Sequence, residues 1–136
     1  MFVEIVSPSG RVFSGEATGV RAPGVEGSFE VLRNHAPMIA AIEIGSLIIT
    51  DQAGNPITFA TSGGFVEVAH NVVTVLAESA ELATKIDVER AQAAEQRAVD
   101  AIAEATDAET KIRMIKALDR ARNRARVSMA AVGKKR

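Results

Sequence analysis

Apolar and polar residues alternate in short runs through the first part of the chain, beginning with Phe2-Val3-Glu4-Ile5-Val6. A period of two places every second side chain on one face of a strand, so these runs predict half-buried β-structure. The pattern occupies residues 2–6, 11–13, 19–22, 28–32, 38–42, 46–50, 56–61, 65–69 and 72–77. Turn residues separate the runs at Pro8-Ser9-Gly10, Pro23-Gly24, Ala53-Gly54-Asn55-Pro56, Ser62-Gly63-Gly64 and His70-Asn71. Gly and Asn tolerate positive φ at such places, and Pro cannot extend a ladder. Short, evenly spaced strands predict an all-β antiparallel sandwich or barrel.

Near Ala80 the period changes, and Ala, Glu, Gln, Arg and Lys replace the β-branched residues. These are helix formers. Thr84-Lys85-Ile86-Asp87 has the form of a capping box and predicts a helix over residues 87–105. Thr106-Asp107-Ala108-Glu109 repeats that start signal, so a second helix is expected from Ala108 to Val132, ended by Gly133. A connection this short makes an antiparallel α-helical hairpin. The chain thus reads as a β-sandwich domain over residues 1–82 and a two-helix hairpin over 83–136.

The stripes expected to face each other are built from small residues. Ala91, Ala94, Ala98, Ile102 and Ala105 recur at helical spacing on the first helix; Met114, Leu118, Ala121, Ala125, Met129 and Val132 do so on the second. Apolar burial contributes only about 25 cal/mol per Å², so an alanine seam predicts a marginal, detachable hairpin. The same pattern also fits an ordinary two-helix appendage.

Composition adds that 47% of residues are apolar and 24% charged, as in a folded globular protein. Without cysteine there is neither a disulfide framework nor a thiolate metal site. No apolar run is long enough to span a bilayer and the start lacks a signal-peptide pattern, so membrane association is expected only through a partner. Charge is more informative than either. Up to Thr110 the chain has six basic and sixteen acidic residues; from Lys111 onward it has ten basic residues and one acid. Such asymmetry predicts a basic segment that folds onto its own acidic part or reaches for an acidic partner.

Arg113, Lys116, Arg120 and Arg124 fall on one face of the second helix by three- and four-residue steps, with Arg122 and Arg126 roughly opposite. They form either a solvated face or a binding surface. Across the hairpin Arg90 comes level with Asn123 and Arg124, where guanidinium groups can converge on an anion. Catalytic and metal-binding patterns are missing. His35 and His70 lie beside turn residues, Ser62 lacks the glycine two residues earlier that a nucleophile elbow needs, and no phosphate-binding loop or dinucleotide fingerprint occurs. Few aromatics and an acidic first domain argue against nucleic acid. A small sandwich module with a basic tail for an acidic partner or nucleic acid is the alternative that composition leaves open.

An ordered set of motifs narrows this further: Ala22-Pro23-Gly24-Val25-Glu26-Gly27, Asn34-His35-Ala36-Pro37, Gly45, Ser62-Gly63-Gly64-Phe65-Val66-Glu67-Val68, Asn71-Val72-Val73-Thr74-Val75-Leu76-Ala77 and Ile86-Asp87-Val88-Glu89-Arg90-Ala91. Over nearly its whole length the chain resembles the ATP synthase epsilon subunits. The resemblance implies a non-catalytic central-stalk subunit of a proton-translocating rotary motor, peripheral on the cytoplasmic face of its membrane. The sandwich is then expected to join the gamma subunit to the c-ring. The hairpin is expected to fold down or to extend into the alpha/beta head and inhibit ATP hydrolysis. It implies no required cofactor, but a regulatory ATP site from Glu81, Asp87, Arg90, Ala91, Arg120 and Arg124. Partner contacts are expected from His35, Arg113, Lys116, Arg122 and Arg126.

Overall fold

The computed structural model describes the backbone of residues 1–134 and the side chains of residues 1–131. The chain divides into two compact units, Met1–Leu82 and a second that begins at Ala83. The first holds strands β1 (Phe2–Ser7), β2 (Gly10–Ala22), β3 (Phe29–Leu32), β4 (Met38–Asp51), β5 (Pro56–Ala69), β6 (Val72–Ala77) and β7 (Ala80–Leu82). Their order is β1-β6-β5-β4-β2-β3, with β7 on β5 and a further β1–β2 pairing that turns the sheet back on itself. All these pairs are antiparallel except β1 with β6. Those two strands are far apart in sequence, so no tight turn dictates their direction.

Alternation along the strands builds the core. Val3, Ile5, Val20, Val31, Leu47, Ile49, Val66, Val73 and Val75 are all buried, and Phe59 packs edge-on against Phe13 with ring centroids 5.8 Å apart. Six of the expected short runs belong to three long strands. β4 continues through Gly45, where a Cβ would lie 2.7 Å from the Pro23 Cβ. β5 continues through Ser62-Gly63-Gly64, which is therefore a bend inside a strand and not the expected turn. Gly63 and Gly64 have φ of 114° and 140°, and a Cβ on Gly64 would collide with the Leu76 carbonyl. The ladder survives this bend, because the Glu78 amide donates to the Gly63 carbonyl at 2.9 Å. His70 and Asn71 do form a two-residue hairpin turn, with φ of 52° and 60°. β7 forms from Ala80-Glu81-Leu82, where helix-forming residues are overridden by pairing with β5.

The second unit holds a 3₁₀ turn (Ala83–Lys85), α1 (Val88–Glu104) and α2 (Ala108–Lys134). The helices start within one residue of where they were expected, but the caps are the aspartates and not the threonines of the two boxes. Asp87 caps α1 by accepting from the Arg90 amide at 3.1 Å, and Asp107 accepts from the Thr110 amide at 2.9 Å. A carboxylate is the better cap and complements the positive helix end, so it displaces the nearby threonine. At the far end α2 runs through Gly133 to Lys134 instead of stopping there; a glycine near a terminus weakens a helix without ending it.

On the facing stripes Ala91, Ala98, Leu118, Ala121 and Ala125 are buried. Met129 is not, being 52% exposed, while Ser128 is buried. After Ala125 the 3.6-residue period falls between the two positions. Ser128 takes the inner one because its hydroxyl finds a partner, donating to the Ile86 carbonyl at 3.4 Å. The side chain of Val132, also placed on the stripe, lies outside the described residues.

Candidate functional site

Two surfaces have the chemistry for binding. The first is the outward face of β1, β6, β5 and β4. Register places Ala41 opposite Phe65, Phe65 opposite Leu76 and Leu76 opposite Val6, a continuous cross-strand row. The next row sets Ile39 opposite Glu67 and Glu67 opposite Thr74. Ile39 is 74% exposed, Phe65 54% and Leu76 48%. Large apolar residues grouped on an open sheet face mark an interaction surface. None of them was among the expected site residues. The signal was available, because Phe65-Val66 and Val75-Leu76 are apolar at both alternating positions, which is the pattern of a strand covered on both faces.

At one end of this unit the Asn34 amide donates to Asn71 Oδ1 at 2.8 Å, tying the loop after β3 to the β5–β6 turn. Asn34 has φ of 61°, a left-handed conformation that asparagine tolerates. Half-buried His35 follows, with its Nδ1 2.7 Å from the Ala36 carbonyl oxygen. That contact orients the ring locally.

The second surface is the basic side of the hairpin. The Ser128–Ile86 contact brings the start of this unit beside the latter part of α2, and counting four residues along each segment sets Arg90 toward Arg124, while the Arg122–Glu95 pair counts Arg90 to a point about three residues further on. Arg90 is exposed, Arg124 is half-buried with interactions of its own, Arg120 is exposed and Ala91 is fully buried. Ala91 therefore offers packing and backbone, not a side-chain contact. Asp87 is committed to its cap. Glu81 belongs to β7, in the first unit. Among the residues expected to meet partners, Arg113 and Lys116 are exposed. Arg122 pairs with Glu95 at 3.2 Å, and Arg126 donates to Asn123 Oδ1 at 3.0 Å. The Arg122–Glu95 pair is on the surface, where such pairs contribute about 0–1 kcal/mol and release their charge readily. Hydrogen bonds from Thr110, through its hydroxyl and then its amide, hold the Asp107 carboxyl below its ordinary pKa, and nearby Arg113 adds a smaller pull.

Among the described residues no cluster of His, Cys, Asp or Glu is arranged to hold a metal ion, and no helix is long and apolar enough to cross a membrane.

Comparison with known proteins agrees with this two-part construction. The ATP synthase delta/epsilon chain β-sandwich domain matches residues 1–83, and the long α-helix domain of the same chains matches residues 84–129. An ATP synthase epsilon chain from Salinibacter ruber is 54% identical over 139 aligned positions, covering 96% of this chain and 93% of that one. One from Nitratidesulfovibrio vulgaris is 44% identical over 127 positions, covering 93% and 94%. The fold also recurs in solved structures. A chain of the Euglena gracilis mitochondrial ATP synthase, in a structure of OSCP, F1 and c-ring, superimposes with a TM-score of 0.78 at 20% identity, over 96% of this chain and 79% of that one. A chain in the central stalk and c-ring of the Tetrahymena thermophila enzyme gives 0.63 at 16%, over 94% and 96%. Sandwich, hairpin and near-full-length identity together show that the chain belongs to the ATP synthase epsilon chain family.

Proposed function

We propose that this chain is a central-stalk subunit that joins the gamma subunit to the c-ring through its sandwich and restrains ATP hydrolysis through its hairpin. The exposed row of Phe65 and Leu76 beside Ile39 carries the first part, since that face is apolar enough to need a cover. Attachment to the membrane, at its cytoplasmic face, then runs through the complex. The second part rests on Arg113, Lys116, Arg122 and Arg126, which supply positive charge that an acidic segment of the alpha/beta head complements. Replacing these four with alanine preserves helix propensity and is expected to raise ATP hydrolysis by the assembled enzyme. Unchanged hydrolysis with normal assembly would remove charge-based inhibition.

The placement of Arg90 toward Arg124 supports a regulatory ATP site on the same hairpin, with Arg120 nearby on α2. Ligand bound to the closed form stabilises it by its differential affinity. A guanidinium can bond phosphate in a paired geometry that an ammonium cannot reproduce, so Arg90→Lys is expected to weaken ATP binding about tenfold. Calorimetry on the isolated subunit checks this. No heat of binding at millimolar ATP, with an unchanged melting temperature, leaves the arginines as a docking surface alone.

A further inference from the structure

We infer that the partner covering the outer face of the sandwich also adds an extended segment, as an extra strand, to the open edge of β4 at Ile39. This rests on the docking role proposed for the Phe65 and Leu76 face, and it names how the partner engages that face.

The backbone directions at this edge are fixed by two bonds. The Ala41 carbonyl accepts from the Val25 amide at 3.0 Å, and the Glu43 amide donates to the Pro23 carbonyl at 2.9 Å. Alternate residues of a strand direct their polar groups to the same side, so Ile39 points its amide and carbonyl that way too, away from β5. Covering by residues 23–25 stops at Ala41. Among the described residues, Ile39 has no backbone partner on that side. An exposed edge with an apolar side chain is a template for another strand, and natural sheets usually blunt such edges with charge or proline. Here the residue at the edge is isoleucine.

The edge opens into a groove of about 600 Å³ between Gly24–Phe29 and Met38–Ala41. Its far wall is preformed: a Cβ on Gly24 would collide with the Gly27 carbonyl and come 2.8 Å from the Phe29 ring. Val25, Phe29 and Met38 give the groove apolar walls, and Glu26 stands exposed at its lip. The whole sandwich unit has three basic and nine acidic residues. The occupant that fits is therefore an extended segment with apolar side chains at alternate positions and a lysine or arginine that reaches Glu26.

The test uses full-length chain reassembled with ATP synthase lacking this subunit. Ile39→Ala removes the side chain and keeps the amide; Ile39→Pro also removes the amide. Proline is tolerated where the lost donor faces outward from an edge strand. Strand addition requires Ile39→Pro to weaken assembly about tenfold beyond Ile39→Ala. Equal effects overturn it. Should the proline variant fail to fold, hydrogen exchange on the wild-type chain decides: the Ile39 amide is expected to become strongly protected on assembly, and an unchanged rate overturns the strand. Glu26→Lys is expected to weaken assembly at low salt, and unaltered assembly overturns a basic occupant. Phe65→Asp separates the two readings. If it abolishes assembly while Ile39→Pro matches Ile39→Ala, the face docks without an added strand. If Phe65→Asp assembles normally, the docking face itself is wrong.

Discussion

The sandwich and the hairpin differ most in the size of what they bury. In the sandwich Ile5, Leu47, Ile49 and Phe59 are at most 2% exposed, and each lies among other large or β-branched side chains. In the hairpin unit the buried apolar residues are mostly alanines, Ala83, Ala91, Ala98, Ala121 and Ala125, with Ile86, Leu118 and Val127 the larger ones among the described residues. Stabilisation by apolar burial scales with area, so the strands form the more strongly packed platform and the helices the more weakly packed seam. A docking face needs the first property and a movable regulatory arm needs the second.

The largest expected effect breaks the platform. Leu47→Ala removes a fully buried side chain from a close-packed sheet core and is expected to destabilise the sandwich by about 2–5 kcal/mol. Leu118→Ala is expected to weaken the hairpin by about 2 kcal/mol, near the transfer contribution alone. Hydrogen exchange read separately over strands and helices checks both. Equal losses would erase the contrast between platform and seam.

A smaller effect sharpens the reason that the strands are long. Gly64→Ala places a Cβ against the Leu76 carbonyl at a φ of 140°, so the bend in β5 must relax. Strain of this kind costs about 1–3 kcal/mol, and chemical denaturation of the sandwich should show it. Gly54→Ala is the control. It shares positive φ, at 86°, but a Cβ there meets nothing within 4 Å, so the difference between the two variants isolates the collision.

The same glycines explain what the sequence made legible. Strand character was readable from alternation, and the hairpin from propensity and caps. Continuity was not readable, because Ser62-Gly63-Gly64 looks like a turn and the alternation lapses around Gly45 unless the neighbours that need their missing side chains, Leu76 and Pro23, are known. Helix faces were legible until Ala125, after which the choice between Ser128 and Met129 depended on the Ile86 carbonyl, a partner 42 residues away. Of the site, the basic residues of α2 could be placed by counting. The apolar face could not be assembled until strand register set Phe65 beside Leu76.

The smallest effect concerns Asp107, which starts α2 at the hairpin bend. Its folded pKa lies below the unfolded value because Thr110 donates to its charged form. A depressed carboxylate contributes stability that is present above the unfolded pKa and is lost as pH falls through the folded one. Acid titration should therefore fray the first turn of α2 as pH drops through and below the ordinary carboxylate range. Asp107→Asn keeps an oxygen acceptor for the Thr110 amide but has no charge to titrate. That variant should retain the helix start at neutral pH and remove this component of the acid response. Asp107→Ala should lose the start at every pH. Carbon chemical shifts of residues 108–111 across the titration report this turn alone. If the asparagine variant frays with the same acid profile as the natural chain, Asp107 is not the group that titrates, and the weakness of the hairpin in acid belongs to its alanine seam.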